Sequence, residues 1–313
     1  MHLVSPNLYL GNRDDARNVE SLTSAGVSHI LTVDSEELDL GVDSGSFEQK
    51  FVRASDEWST DLLSRFDECS GFIQKGRQEG GVLVHCLQGV SRSAAVVAAH
   101  LMQAERWSCD QALQHIRQVK PDVRPNDGFM SQLMLYESMG CRVDQSRVEF
   151  KQYRLEHLAQ QFHEQGQVES STFASDPHER PDTSGNVSNT ALFRCRKCRR
   201  GLFRSDSIME HETGSGQTCF SWYKRGGAGD GGSSSVQCSS IFVIPVTWMA
   251  ESLAGVVQGK LLCPKCNGRL GSFNWAGEQC SCGAWITPSI QLHKNRIDEV
   301  RNLGPNSPVK VCR

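Results

Sequence analysis

The residues best suited to chemistry lie in one run, His85-Cys86-Leu87-Gln88-Gly89-Val90-Ser91-Arg92-Ser93. A thiol becomes a strong nucleophile once ionised, and ionisation is favoured where backbone N–H groups and a helix N-terminus converge on the sulfur. A glycine in a strand-to-helix loop lets successive N–H groups turn toward one point, and such a nest takes an anion. Arg92 adds a planar fork of donors that holds two phosphate oxygens at once, which a lysine does not. Leu87, Gln88, Gly89, Val90, Ser91 and Arg92 are therefore the expected cradle for a phosphoryl group, with Cys86 at its floor. Ser93 is placed to donate a hydrogen bond to the thiolate as phosphate leaves. His85 reads as a residue that orients the loop rather than one that carries a proton.

A second set of residues has the spacing of metal ligands. Of the thirteen cysteines, nine follow residue 190, and six of those form close pairs: Cys195/Cys198, Cys263/Cys266 and Cys280/Cys282. A CxxC turn presents two thiolates at a separation that tetrahedral zinc accepts, and close pairs of this kind favour zinc over disulfides in a reducing compartment. Six thiolates exceed one ion, and two ions need eight ligands. The remaining two come from His211, Cys219, Cys238 and His293. His211 and Cys238 are the preferred pair, because Cys219 precedes a glycine–serine run (Gly226 to Ser235) and His293 lies in a terminal helix or strand. No position is left open for water, so two structural zinc ions are expected, and none in the catalytic step.

The elements that must position these groups are legible around them. Val82-Leu-Val84 is a short apolar run suited to a buried strand, and Ser93 to Met102 is an alanine-rich, nearly uncharged helix. Leu8-Tyr-Leu10 reads as an edge strand, Arg13 to Ser24 as one helix, Val27 to Val33 and Phe51-Val52 as strands. Ser35 to Gln49 reads as an acidic surface loop. Asp61 caps a helix from Leu62 to about Gln78, Ser108 one to Val119, and Asn126 one to Met139. Strands alternating with helices predict an α/β domain with a central, mainly parallel sheet flanked by helices over 1–145. A polar helix and a flexible linker over 146–190, read from composition, lead to a small β-rich zinc-binding domain over 191–313.

Charge divides along the same boundary. Residues 1–190 carry 17 Lys and Arg against 28 Asp and Glu, a net of −11, whereas residues 191–313 carry 16 against 8, a net of +8. Arg194, Arg196, Lys197, Arg199 and Arg200 surround the first cysteine pair. With Phe203, Trp275 and Trp285 they raise the expectation of contact with RNA or a ribosomal surface. Met1 to Asp15 has neither a basic start nor an apolar core, so no secretory leader is expected. The most apolar run, Ile241 to Val257, is broken by Pro245 and Glu251, so no membrane partner is expected either.

The HCx5R pattern followed by serine resembles the signature of cysteine-based protein phosphatases, in their dual-specificity branch. Asn7-Leu-Tyr-Leu-Gly11 and Pro125-Asn-Asp-Gly128-Phe-Met-Ser-Gln132-Leu resemble flanking motifs of that family. The resemblance implies a cysteine-phosphatase fold over about residues 1–142 and phosphoprotein substrates. It also implies a general acid about thirty residues before the cysteine, which is Asp56, with Asp61 and Glu57 as rivals. It suggests a bracing role for Asn126. No extended aromatic recognition loop precedes residue 50, so the pocket is expected to admit phosphoserine and phosphothreonine as well as phosphotyrosine. The C-terminal part loosely resembles β-tent zinc domains. That likeness implies a site of Cys195, Cys198, Cys263 and Cys266 and another of His211, Cys238, Cys280 and Cys282; sequential pairing is the alternative. A phosphatase joined to such a domain resembles a subfamily whose role is large ribosomal subunit assembly, with nuclear and cytoplasmic residence and pre-ribosomal RNA or protein as partners. A monomer is expected.

Overall fold

The computed structural model describes residues 1–166, 168, 173–179, 190–212, 214 and 238–300. The chain forms two compact units, Met1–Gln145 and Ser146–Arg313. The first unit contains β1 (His2–Ser5), β2 (Leu8–Gly11), α1 (Arg13–Arg17), α2 (Val19–Ser24), β3 (Val27–Asp34), β4 (Glu48–Arg53), α3 (Phe66–Glu79), β5 (Gly81–His85), α4 (Arg92–Glu105), α5 (Cys109–Val119) and α6 (Asp127–Ser138). Its sheet has the order β1-β2-β5-β3-β4. β1 and β2 pair antiparallel and the other three pairings are parallel.

The central strand is β5, and all five of its residues are buried. A strand covered on both faces needs apolar residues at consecutive positions, which Val82-Leu-Val84 supplies. Behind it, α4 is buried from Arg92 to Met102. Its small alanines let the helix lie close to the sheet.

Three local expectations are corrected. Leu8–Gly11 is an internal strand, because His2–Ser5 lies outside it as the edge. The helix over 13–24 is two helices, broken at Asn18, whose side chain accepts from Ser21 N and caps the second. Asp61 accepts from Ser64 N, but the turn it caps is a 3-10 segment, Leu63–Arg65, and the α-helix begins at Phe66. The loop before β4 contains a 3-10 turn of its own, Gly41–Ser46, flanked by buried Leu38 and Phe47.

The second unit opens with α7 (Val148–Gln165), followed by β6 (Leu192–Cys195), β7 (Gly201–Arg204), β8 (Ile208–Met209), β9 (Ser240–Val243), α8 (Ala250–Leu253), β10 (Gln258–Leu262), β11 (Arg269–Asn274), β12 (Glu278–Gln279), β13 (Trp285–Ile286), β14 (Ser289–His293) and β15 (Ile297–Val300). Its strands form sheets of order β10-β11-β14-β9-β8, β15-β6-β7 and β12-β13, with antiparallel pairings.

Described parts of the segment read as polar helix and linker pack into this unit's core. Leu155, Leu158, Ala159 and Phe162 of α7 are buried in one cluster with Trp275, Phe273 and Leu261, and Phe162 stacks on Trp275 at 5.1 Å. Further on, Ala174 N donates to Pro245 O and Thr247 N donates to Ala174 O. Asp176 is buried against Arg200 at 2.6 Å. Composition hid this because only the inward face of α7 is apolar. The glycine–serine run 226–235 and Cys219 lie outside the described residues.

Candidate active site and metal centres

The loop between β5 and α4 folds around the sulfur of Cys86. Gly89 N and Ser93 Oγ each donate to Cys86 Sγ at 3.2 Å. Gly89 has φ +73, and a Cβ there would come within 2.5 Å of Gly11 O, so the turn needs glycine on both counts. The loop is tied from outside by Arg13 N donating to Leu87 O at 3.3 Å and Arg124 N donating to Val90 O at 3.0 Å.

His85 is fully buried. Its Nε2 lies 2.8 Å from Thr32 Oγ1, and burial lowers its pKa to about 4. A neutral imidazole is thus bonded into the sheet beside the loop, in keeping with an orienting part.

Arg92 is buried at the start of α4. It donates through NH1 to Asp34 Oδ1 at 2.5 Å and to Ala54 O at 3.2 Å. Its Nε is buried without a hydrogen-bond partner. Such a donor is costly unless something accepts from it, and an oxyanion in the loop would.

Asp34 is a site residue that sequence reasoning missed. It ends β3 and lies between two guanidinium groups, Arg92 on Oδ1 and Arg13 NH2 on Oδ2 at 3.0 Å. The available signal was an acidic residue at the carboxyl end of a buried strand, where α/β sheets place their sites.

Asp56 reaches the same place from the loop after β4. Its Oδ1 accepts from Ser91 Oγ at 2.6 Å and from Asn126 Nδ2 at 2.9 Å. Its Oδ2 faces Arg92 Nε at 4.0 Å, and its side chain is 41% exposed. The start of α6 holds this loop. Gln132 Oε1 accepts from Leu62 N and Leu63 N, its Nε2 donates to Thr60 O, and Gly128 leaves room for Trp58 O, which a Cβ would meet at 2.0 Å. Asn126 serves both as cap of α6 and as brace of Asp56. Asp61 caps its 3-10 turn, and among the described contacts neither it nor Glu57 approaches the loop.

In the second unit the ligand-type residues gather into two quartets, Cys195/Cys198/Cys263/Cys266 and His211/Cys238/Cys280/Cys282, the donor atoms of each lying within 4.8 Å of one another. In the first, Cys195 and Cys266 sulfurs are 3.8 Å apart and Cys198 and Cys263 sulfurs 3.5 Å. Thiolates at about 2.3 Å from a tetrahedral zinc stand roughly 3.8 Å apart, so the set fits that ion. In the second, His211 Nε2 lies 3.3 Å from both Cys238 and Cys282 sulfurs.

As free thiols the members of a quartet cannot all ionise. Burial chiefly, then the neighbouring thiols, pushes Cys238 up to about 12, and burial likewise pushes Cys263 up to about 12. A dication reverses that balance, because it is the counter-charge four crowded ligands require. The two CxxC turns share one backbone form. Arg199 N donates to Cys195 O and Asn267 N to Cys263 O, and Arg199 and Asn267 both have positive φ.

The basic surface expected at the first turn is partly neutralised. Arg196 and Arg199 pair with Asp298, and Arg200 is buried on Asp176. Phe203 and Trp275 are core residues, so of the three aromatic candidates only Trp285, 66% exposed, faces solvent.

Comparison with known proteins bears on the whole chain. The dual specificity phosphatase catalytic domain matches residues 8–139. Dual specificity protein phosphatase 12 of Rattus norvegicus is 45% identical over 304 residues, covering 96% of this chain and 88% of that protein. The Homo sapiens protein of the same name is 44% identical over 305 residues with the same coverage. Among solved structures, human DUSP28 is 32% identical, covers 44% of this chain and 96% of its own, and superposes with a TM-score of 0.42. Likeness that runs through both units at this level leaves one assignment: the chain belongs to the dual-specificity protein phosphatases and is an enzyme of that class.

Proposed function

We propose that the protein hydrolyses phosphotyrosine and phosphoserine or phosphothreonine in proteins by two phosphoryl transfers through Cys86. In the first, the Cys86 thiolate attacks phosphorus and the ester P–O bond breaks, while Asp56 gives its proton to the leaving oxygen. Oδ1 of Asp56 is occupied by Ser91 and Asn126, which leaves Oδ2 to carry that proton. Arg92 and the N–H groups of Leu87 to Arg92 hold the equatorial oxygens as their charge grows. In the second, Asp56 takes a proton from water, water attacks phosphorus, and the S–P bond breaks. Ser93 and Gly89 then stabilise the returning thiolate.

The observation that carries this reading is the pair of hydrogen bonds on Cys86 Sγ with Arg92 buried beside them. Cys86→Ser is expected to abolish phosphate release from an aryl phosphate, with thermal unfolding unchanged; turnover at the native rate would reject it. The double variant Asp56→Ala, Cys86→Ser should retain bound phosphoprotein and so identify the substrate.

Zinc in the two quartets would be structural, since each quartet already supplies four ligands. We also propose that the second unit docks the enzyme on large ribosomal subunit precursors, in nucleus and cytoplasm, as the subfamily resemblance implies. Its net positive charge supports this. The alternative is that this docking is the protein's main task and the phosphatase activity is regulatory or dispensable. Pre-ribosomal association of Cys86→Ser compared with a zinc-depleted protein separates the two. Loss in the former alone would exclude docking through the zinc unit.

A further inference from the structure

The second unit holds a cavity of about 470 Å³ beside its second cysteine–histidine quartet, a size typical of ligand sites. Its lining combines acidic and apolar side chains. Glu156 on α7 and Glu210 and Glu212 after β8 place three exposed carboxylates around it, while Phe242 is a buried apolar surface and Met209 a partly buried one. Among the described residues, no lysine or arginine lines it. One wall is Trp285, which is 66% exposed although it sits in a strand. That indole is held in place: β13 pairs with β12, and the ring edge lies over Gly277, where a Cβ would come within 2.7 Å of Trp285 Nε1. A single exposed indole is ordinary by itself, but this one is fixed as a wall of a cavity that it shares with three carboxylates.

These features together select a ligand. Carboxylates recognise a cation, an exposed indole face favours a planar cation that stacks on it, and an apolar floor accepts the aliphatic stem behind the charge. A guanidinium meets all three requirements, with bidentate hydrogen bonding to carboxylate in addition. A nucleic acid would bring phosphate against three carboxylates, which opposes binding. We infer that this cavity is a docking site for an arginine side chain in a basic segment of a partner protein. The second unit thus reads protein through an acidic pocket that its overall positive charge conceals.

The test uses the full chain with its bound metal and short fluorescent peptides of alanine, leucine and glycine with one central arginine. Binding is followed by anisotropy, beside counterparts with citrulline or glutamate at the centre. The arginine peptide should bind, about tenfold or more above the citrulline and glutamate peptides, and bind more weakly as salt rises. Glu156→Gln and Trp285→Ala should each weaken it by about tenfold, with metal content and aryl phosphate turnover unchanged. If Trp285→Ala loses metal, Glu156→Gln on α7, remote in sequence from every ligand, decides alone. Equal binding of the three peptides, or native affinity in Glu156→Gln, would overturn the inference. So would a single-stranded RNA that binds and loses affinity in Trp285→Ala while the arginine peptide does not bind.

Discussion

At the scale of single residues, the site depends on a carboxylate that touches no substrate. Asp34 lies between Arg13 and Arg92, and breaking a buried pair leaves the surviving charge without compensation. Asp34→Asn keeps the shape and removes the counter-charge, so Arg92 loses its aim more than its presence. Steady-state kinetics with an aryl phosphate should show kcat/KM lower by about tenfold, chiefly through a higher KM, equivalent to roughly 1.4 kcal/mol. Unchanged constants with a lowered Tm would make Asp34 a purely structural residue. Cys86, Gly89, Arg92 and Ser93 were legible from sequence because they share one loop. Asp34 is bonded to a residue 58 positions away, and no local pattern reports such a contact.

At the scale of elements, β5 and α4 each carry a buried histidine that must stay neutral. Burial lowers His85 and His100 to about 4, with His100 held between Ser70 Oγ at 2.9 Å and Arg77 NH1 at 3.1 Å. Their folded values lie below the unfolded value of 6.5, so the unfolded chain binds protons first as pH falls. The stability they protect is complete above 6.5 and is lost progressively as pH falls through 4. It amounts to roughly 3 kcal/mol apiece at most. Denaturant midpoints of the first unit should therefore fall between pH 6.5 and 4.5, and His100→Gln should flatten that slope. A midpoint constant across this range would contradict the neutral assignment. Carboxylates lowered by ion pairing, such as Glu48 beside Lys75 and Glu68 beside Lys50, act in a lower window, below their ordinary value of 4.5.

At the scale of the molecule, the two units draw their stability from different sources. The first has a covered parallel sheet and an all-buried helix. The second consists of short strands around two ligand quartets, and structural zinc binding is worth about 10–16 kcal/mol in comparable small domains. Treatment with a strong chelator should abolish the unfolding transition of the second unit and release two equivalents of zinc. Aryl phosphate turnover in the first should persist. Release of no zinc, or unfolding of the first unit with the second, would contradict this division.

Sequence alone determined the chemistry and most of its elements. A nucleophile, an anion nest and a guanidinium at fixed offsets imply one kind of reaction, and cysteine pairs at zinc spacing imply one kind of ligand. Local steric and electronic requirements encode both. The apolar run of β5 and the caps at Ser108 and Asn126 were legible for the same reason. What depends on contacts across the chain was decided only by the tertiary structure. Asn126 could be read as cap or brace, and is both, because the start of α6 meets the Asp56 loop. The basic cluster at the first CxxC turn promised a charged surface, but Asp298 and Asp176 pair with three of its five residues from distant positions. Trp285 is exposed while Trp275 is buried, a difference that burial against α7 sets and composition does not. Charge and hydrophobicity counted along a chain are sums, whereas recognition depends on which charges remain unpaired and which faces remain uncovered after folding.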